Sequence, residues 1–94
     1  MNYYKYKWNK KTGEDLTGTW GTSTYYYEVE IEGYVARQIE VFENGHVLKY
    51  DSDFKEDKYG FLTDQPIGNS EITVLEKISE EDFNNIWKTT NRYI

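Results

Sequence analysis

The sequence predicts an α+β fold: an antiparallel sheet of four to five strands, with one C-terminal helix packed on one face. Three observations carry this. Val35–Tyr50 reads as two apolar-alternating runs around Asn44-Gly45, a strong hairpin signal. Tyr3–Trp8 and Tyr25–Glu32 alternate in the same period of two. Ser79-Glu-Glu-Asp82 then opens a run whose apolar residues recur at helical spacing.

In the first strand Tyr4, Tyr6 and Trp8 alternate with Lys5 and Lys7. Residues 9–23 are polar, with three Gly and four Thr, and read as a long loop. In the second strand Tyr25, Tyr27, Val29 and Ile31 face one way, and Tyr26, Glu28, Glu30 and Glu32 the other. A three-residue turn, Glu32-Gly33-Tyr34, leads into a third strand over Val35–Glu43. A two-residue type I′ turn at Asn44-Gly45 then sets Glu40 opposite Lys49 and Ile39 opposite Tyr50. Val35, Ile39, Val41, Leu48 and Tyr50 would share the core face, with Glu40 and Lys49 paired on the other. Residues 51–68 read as an irregular acidic loop and Ile72–Ile78 as a further strand. The helix spans 79–90: Ser79 caps it, three acids favour its positive end, and Phe83, Ile86, Trp87 and Thr90 form its packing face.

Ninety-four residues suit a single domain, 1–94. Aromatics make up 18% of the chain, and each ring buries roughly 150–250 Å², which offsets the short length. The chain has no Cys, so disulfides and thiolate chemistry are excluded, which suits a cytoplasmic setting. No apolar run is long enough to span a membrane, so no membrane partner is expected. The net charge of −6 is uneven: residues 1–11 carry four Lys and no acid, and residues 12–94 carry 17 acids against seven bases. An acidic body repels nucleic acid and attracts a basic partner.

The candidates for chemistry are few. Arg37 falls on the expected core face and needs a carboxylate. Asp64 is the first candidate, giving either a structural ion pair or an anion-binding Arg. His46 follows the turn with no nucleophile to serve. Asp51, Asp53 and Asp57 have calcium-loop composition, but Lys55 stands where a third ligand belongs, so no metal is expected. No cofactor motif is present. Tyr26 and Phe42, with Val47 and Tyr34, would either form an exposed aromatic patch rimmed by Glu28, Glu30, Glu32 and Glu40, a composition suited to a protein interface, or be covered by another strand or the helix.

Arg37-Gln-Ile-Glu-Val-Phe-Glu-Asn-Gly45, Asp64-Gln-Pro-Ile67 and Ile78-Ser-Glu-Glu-Asp-Phe83…Trp87 together resemble a group of small, functionally uncharacterised bacterial single-domain proteins. Their pattern reads Arg-x-Ile/Val-Glu-Val-Phe-x-Asp/Asn-Gly, then Pro-Leu/Ile, then Ser-x-x-Glu-Phe-x-x-x-Trp. Here Asp82 replaces the usual Glu. The resemblance covers roughly residues 25–90 and implies an immunity-protein-like role in toxin–immunity or phage–host conflict. It implies no catalytic residues.

The expected function is therefore a non-enzymatic inhibitor that docks on a basic protein, a toxin or a defence enzyme. Tyr26, Glu28, Glu30, Phe42, Asp51, Asp53 and Asp57 are its expected contacts. The alternative is a sensor or sponge for a nucleotide-like anion, using Arg37 and Tyr or Trp rings. An open sheet edge would also permit a homodimer.

Overall fold

A computed structural model describes residues 1–8, 16–68 and 72–93. The order is β1 (Asn2–Trp8), β2 (Ser23–Val29), β3 (Val35–Phe42), β4 (Val47–Tyr50), β5 (Glu56–Asp57), β6 (Gly60–Phe61), β7 (Glu76–Ile78) and α1 (Glu80–Thr89). Five strands form one antiparallel sheet in the order β4-β3-β2-β1-β7, and β5-β6 form a small separate hairpin. The α+β expectation holds. The first four strands are a meander; β7 returns to the far edge, beside β1.

Both sheet hairpins have the same three-residue loop. Glu30 N–H donates to Tyr34 O, and Gly33 N–H to Glu30 O; Phe42 N–H donates to His46 O, and Gly45 N–H to Phe42 O. Gly33 and Gly45 take the positive φ values, 95° and 94°. The loops are thus Ile31-Glu32-Gly33 and Glu43-Asn44-Gly45. The first is the expected length but begins one residue earlier. The second is one residue longer than expected, because Asn44 does not adopt the positive φ that a type I′ turn requires. Its side-chain Oδ1 instead accepts from His46 N–H at 2.9 Å, closing an Asx turn.

That residue flips every later pairing. Ile39 faces Lys49 and Glu40 faces Leu48, so the expected Glu40–Lys49 pair does not form. A bulge where Val29 pairs with Val35 leaves Ala36 unpaired and sends Val35 to the face opposite Arg37. Consequently Ile39, Val41 and Val47 lie under the helix, while Leu48 and Tyr50 point away from it. Ile31, expected in the core, sits in the turn.

The sheet is buried on both faces, and each element shows why. On the helix face Phe83, Ile86 and Trp87 pack on Tyr3, Tyr26, Ile39 and Val47. Ser79 caps α1, its oxygen accepting from Asp82 N–H at 3.0 Å. At the other end Lys49 Nζ donates to the carbonyls of Trp87 (2.5 Å) and Thr90 (2.9 Å), with the Trp87 ring 4.5 Å away. A cation at the negative helix end offsets part of the cost of burying Lys49. Burial, then the nearby Arg92 and Arg37 charges, still lower its pKa. On the opposite face Trp20, Phe42, Leu48 and Tyr50 form one cluster, and Tyr4, Val29 and Val35 another, covered by Leu62, Ile67, Ile72 and Leu75. Trp20 belongs to the segment expected to be only a polar loop. The C-terminal residues follow the β4 edge, where Tyr93 N–H donates to Val47 O. No described helix is long and apolar enough to cross a membrane.

Candidate functional site

One cluster of charged side chains lies where the β2–β3 hairpin meets the start of α1. β2 ends and β3 begins there, and α1 starts beside them. Tyr3 joins these elements: its single hydroxyl proton is shared between Glu28 Oε2 (3.0 Å) and Glu80 Oε2 (3.2 Å). Burial, then the neighbouring carboxylates, push the Tyr3 phenol up to about 12. Beside it Arg37 holds Glu28 with two bonds, Nε to Oε1 at 2.8 Å and Nη2 to Oε2 at 2.7 Å, and also reaches Asn84 Oδ1 at 2.8 Å. Phe83 and Trp87 flank the guanidinium at 4.9 and 5.0 Å. The Arg37 bonds hold the Glu28 carboxyl below its ordinary range against the opposing effect of burial. Around this paired interior lie exposed acids, Glu30 and Glu32 near the hairpin tip and Glu80, Glu81 and Asp82 on the first turn of α1, with the Met1 amino group also near enough to Glu28 to lower its pKa.

The tip also presents two large apolar side chains between and beside its acids. Ile31 is 92% exposed and Tyr34 50%. Its backbone is fixed by the two turn bonds and by Ile67 N–H donating to Gly33 O at 2.9 Å. Ile31 does not take a positive φ and its side chain is outside the core, so the fold does not require isoleucine there.

The expected contact residues divide. Glu30 is exposed, as is Asp53. Phe42 is buried against Trp20 on the far face, and Tyr26 is partly buried under α1, so the expected aromatic patch does not exist. The cause is the register change, which puts Tyr26 opposite Ile39 on the helix face. Glu28 is buried in the ion pair. It, not Asp64, is the partner of Arg37; Asp64 is exposed and accepts from the Gln65 side chain. Asp51 and Asp57 organise turns: Asp51 Oδ1 accepts from the backbone N–H of Asp53 and Phe54, and Asp57 Oδ1 from Tyr50 Oη and the backbone N–H of Tyr59 and Gly60. Among the described residues no group of acids and His could hold a metal. His46 stacks on Tyr93 with ring centroids 4.0 Å apart.

No protein-family model, curated protein or solved structure matches this chain. The site therefore rests on its own geometry.

Sequence reasoning missed the acidic end because it depends on where α1 begins relative to the β2–β3 turn. One signal was available: both Ile31 and the helix cap lie beside paired acids, Glu30/Glu32 and Glu80/Glu81. It also missed the isolated acid Glu40. Glu40 is 7% exposed, on the face away from α1, and its carboxylate accepts from Ser23 Oγ at 2.7 Å. Burial raises its pKa, while hydrogen bonds from Ser23 and Tyr25 act in the opposite direction.

Proposed function

We propose that the chain is a non-enzymatic binding protein of the immunity or inhibitor type. It docks the acidic end of its sheet on a basic surface of a partner protein, a toxin or a defence enzyme. Ile31 and Tyr34 are the anchors, and Glu30, Glu32, Glu80, Glu81 and Asp82 supply the complementary charge. The observation that carries this reading is Ile31: an aliphatic side chain 92% exposed on a pinned turn, flanked by two exposed acids. Apolar anchors with a charged rim suit a protein interface, and the charge speeds association. The sequence resemblance to immunity-like proteins points the same way. The nucleotide-sensor alternative has less support, because the Arg37 fork already holds Glu28 and Asn84.

The test is capture from lysate of the native source on immobilised protein, at low and high salt. Wild type is compared with Ile31→Asp and with Glu30→Lys/Glu32→Lys. A basic protein retained by wild type, and lost both with salt and in the variants, is the expected result. Equal retention by all three proteins would remove the assignment.

A further inference from the structure

The face away from α1 carries two rows of side chains across the sheet. Tyr6, Tyr25 and Glu40 are successive cross-strand neighbours, as are Tyr4, Tyr27 and Gln38. The Tyr25 and Tyr27 rings are parallel at 5.7 Å. A partly open cavity of about 300 Å³ is lined by Tyr6 and Tyr27 together with the 63–67 segment and Val74 and Leu75. Its wall is pinned: Gln38 Nε2 donates to Phe61 O, Gln38 Oε1 accepts from Thr63 N–H, and Ile67 bonds to the β2–β3 turn. The cavity therefore exists before any ligand arrives, which limits the ordering cost of binding.

Its chemistry is one-sided. Tyr6 and Tyr27 line it, and the buried Glu40 carboxylate lies on the same face of the sheet, across from Tyr25. Glu40 lies across the ladder from Tyr25, whose ring is parallel to that of Tyr27 and whose other cross-strand neighbour is Tyr6. Among the described residues no Lys or Arg pairs with Glu40 or lines the cavity. Strand alternation sends Lys5 and Lys7 to the other face; Lys77, opposite Tyr4, falls on this face but is exposed and does not line the cavity. Negative ring faces and an unneutralised acid attract the same kind of guest.

We propose that this cavity binds an organic cation, a small alkylammonium group seated on Tyr6 and Tyr27 in the field of Glu40. The site is separate from the acidic end. The size admits a ligand at the small end of the usual range for pockets. An anion would be repelled by the Glu40 charge, and no described cation lines the cavity.

Choline and its neutral carbon isostere, 3,3-dimethylbutan-1-ol, separate charge from shape. Each is titrated into the intact protein while the Tyr ring resonances are followed by NMR. Choline should shift Tyr6 and Tyr27, and the alcohol should bind at least about five-fold more weakly. Tyr27→Leu should weaken choline about ten-fold, and Glu40→Gln should weaken choline but not the alcohol. Tyr6→Leu, on the more open side, gives a second ring variant, and thermal melts confirm that each variant is folded. Equal binding of the two probes, shifts away from these rings, or no shift with either probe would overturn the proposal. N-acetyl-lysine methylamide distinguishes the source of the ammonium: tighter binding than choline assigns a partner's lysine, and weaker binding a free amine.

Discussion

Glu28→Gln removes the charge that faces Arg37 while keeping the side-chain shape. In the wild type one carboxylate accepts two bonds from Arg37 and one from Tyr3. The side chains are 10% exposed for Glu28 and 23% for Arg37, so this is an interior pair with some access to water. Glutamine offers one acceptor oxygen and turns an NH₂ group toward the guanidinium. The main loss is the uncompensated Arg37 charge. Breaking a buried pair in this way costs about 3–5 kcal/mol, and the partial exposure of Arg37 places the expectation near the lower end, about 3 kcal/mol. For a domain this size that lowers Tm by on the order of 15 °C. Replacing both partners with Glu28→Leu/Arg37→Met should restore much of the loss, because no lone charge remains.

The pH dependence has a definite sign. Pairing with Arg37 lowers the folded-state pKa of Glu28, so the stabilisation is present above the unfolded carboxyl value and is lost as pH falls through the folded one. The gap between wild type and Glu28→Gln should therefore be widest near neutral pH and shrink on acidification. Urea unfolding at about pH 7 and about pH 3 measures both quantities. A loss below about 1 kcal/mol at neutral pH, the range of a surface pair, would refute the reasoning. So would a gap that does not change with pH.

Trp20→Ala should cost about 3–5 kcal/mol in urea unfolding, as for a core aromatic, because Trp20 packs on Phe42, Tyr59 and Tyr93; a loop-like loss of a few tenths would contradict its place in the core. Gly33→Ala and Gly45→Ala separate conformation from contact. Both carry positive φ, but a Cβ at Gly33 would lie 3.1 Å from Ile67 O, whereas Gly45 has open space. Gly45→Ala should cost about 1 kcal/mol and Gly33→Ala more, with thermal melts giving the order. Ser79→Ala should lose about 1 kcal/mol, read from the same melts, since its oxygen caps Asp82 N–H.

The fold class was legible because its signals are local. Alternation in the β1–β4 segments, glycines at both hairpins and the Ser79 cap each act within a few residues. The register was not legible. Asn44-Gly45 admits either a two-residue turn with Asn at positive φ or a three-residue turn closed by the Asn44 side chain, and the choice moves every later side chain to the other face. An assumption of one buried face then compounded the difference. This sheet is covered on both faces, so Glu40 and Lys49 are both interior, on opposite sides, each with its own hydrogen bonds. Arg37 was recognised as a buried charge in need of a carboxylate. Its partner Glu28 sits directly across the β2–β3 ladder, visible only once the turn is placed correctly. Trp20 was hidden by its polar neighbours, for its burial comes from Phe42, Tyr59 and Tyr93, all distant in sequence.

The acidic end as a docking surface is tested most directly by a photo-crosslinking residue in place of Ile31, with a control at exposed Thr89 near the far end of α1. Both proteins are irradiated in lysate of the native source at low and high salt, and the products are identified by mass spectrometry. The account predicts one basic protein joined to position 31, not to position 89, and lost at high salt or when Glu30 and Glu32 are reversed to Lys. The same adduct from both positions, or one indifferent to salt and to the charge reversal, would contradict it.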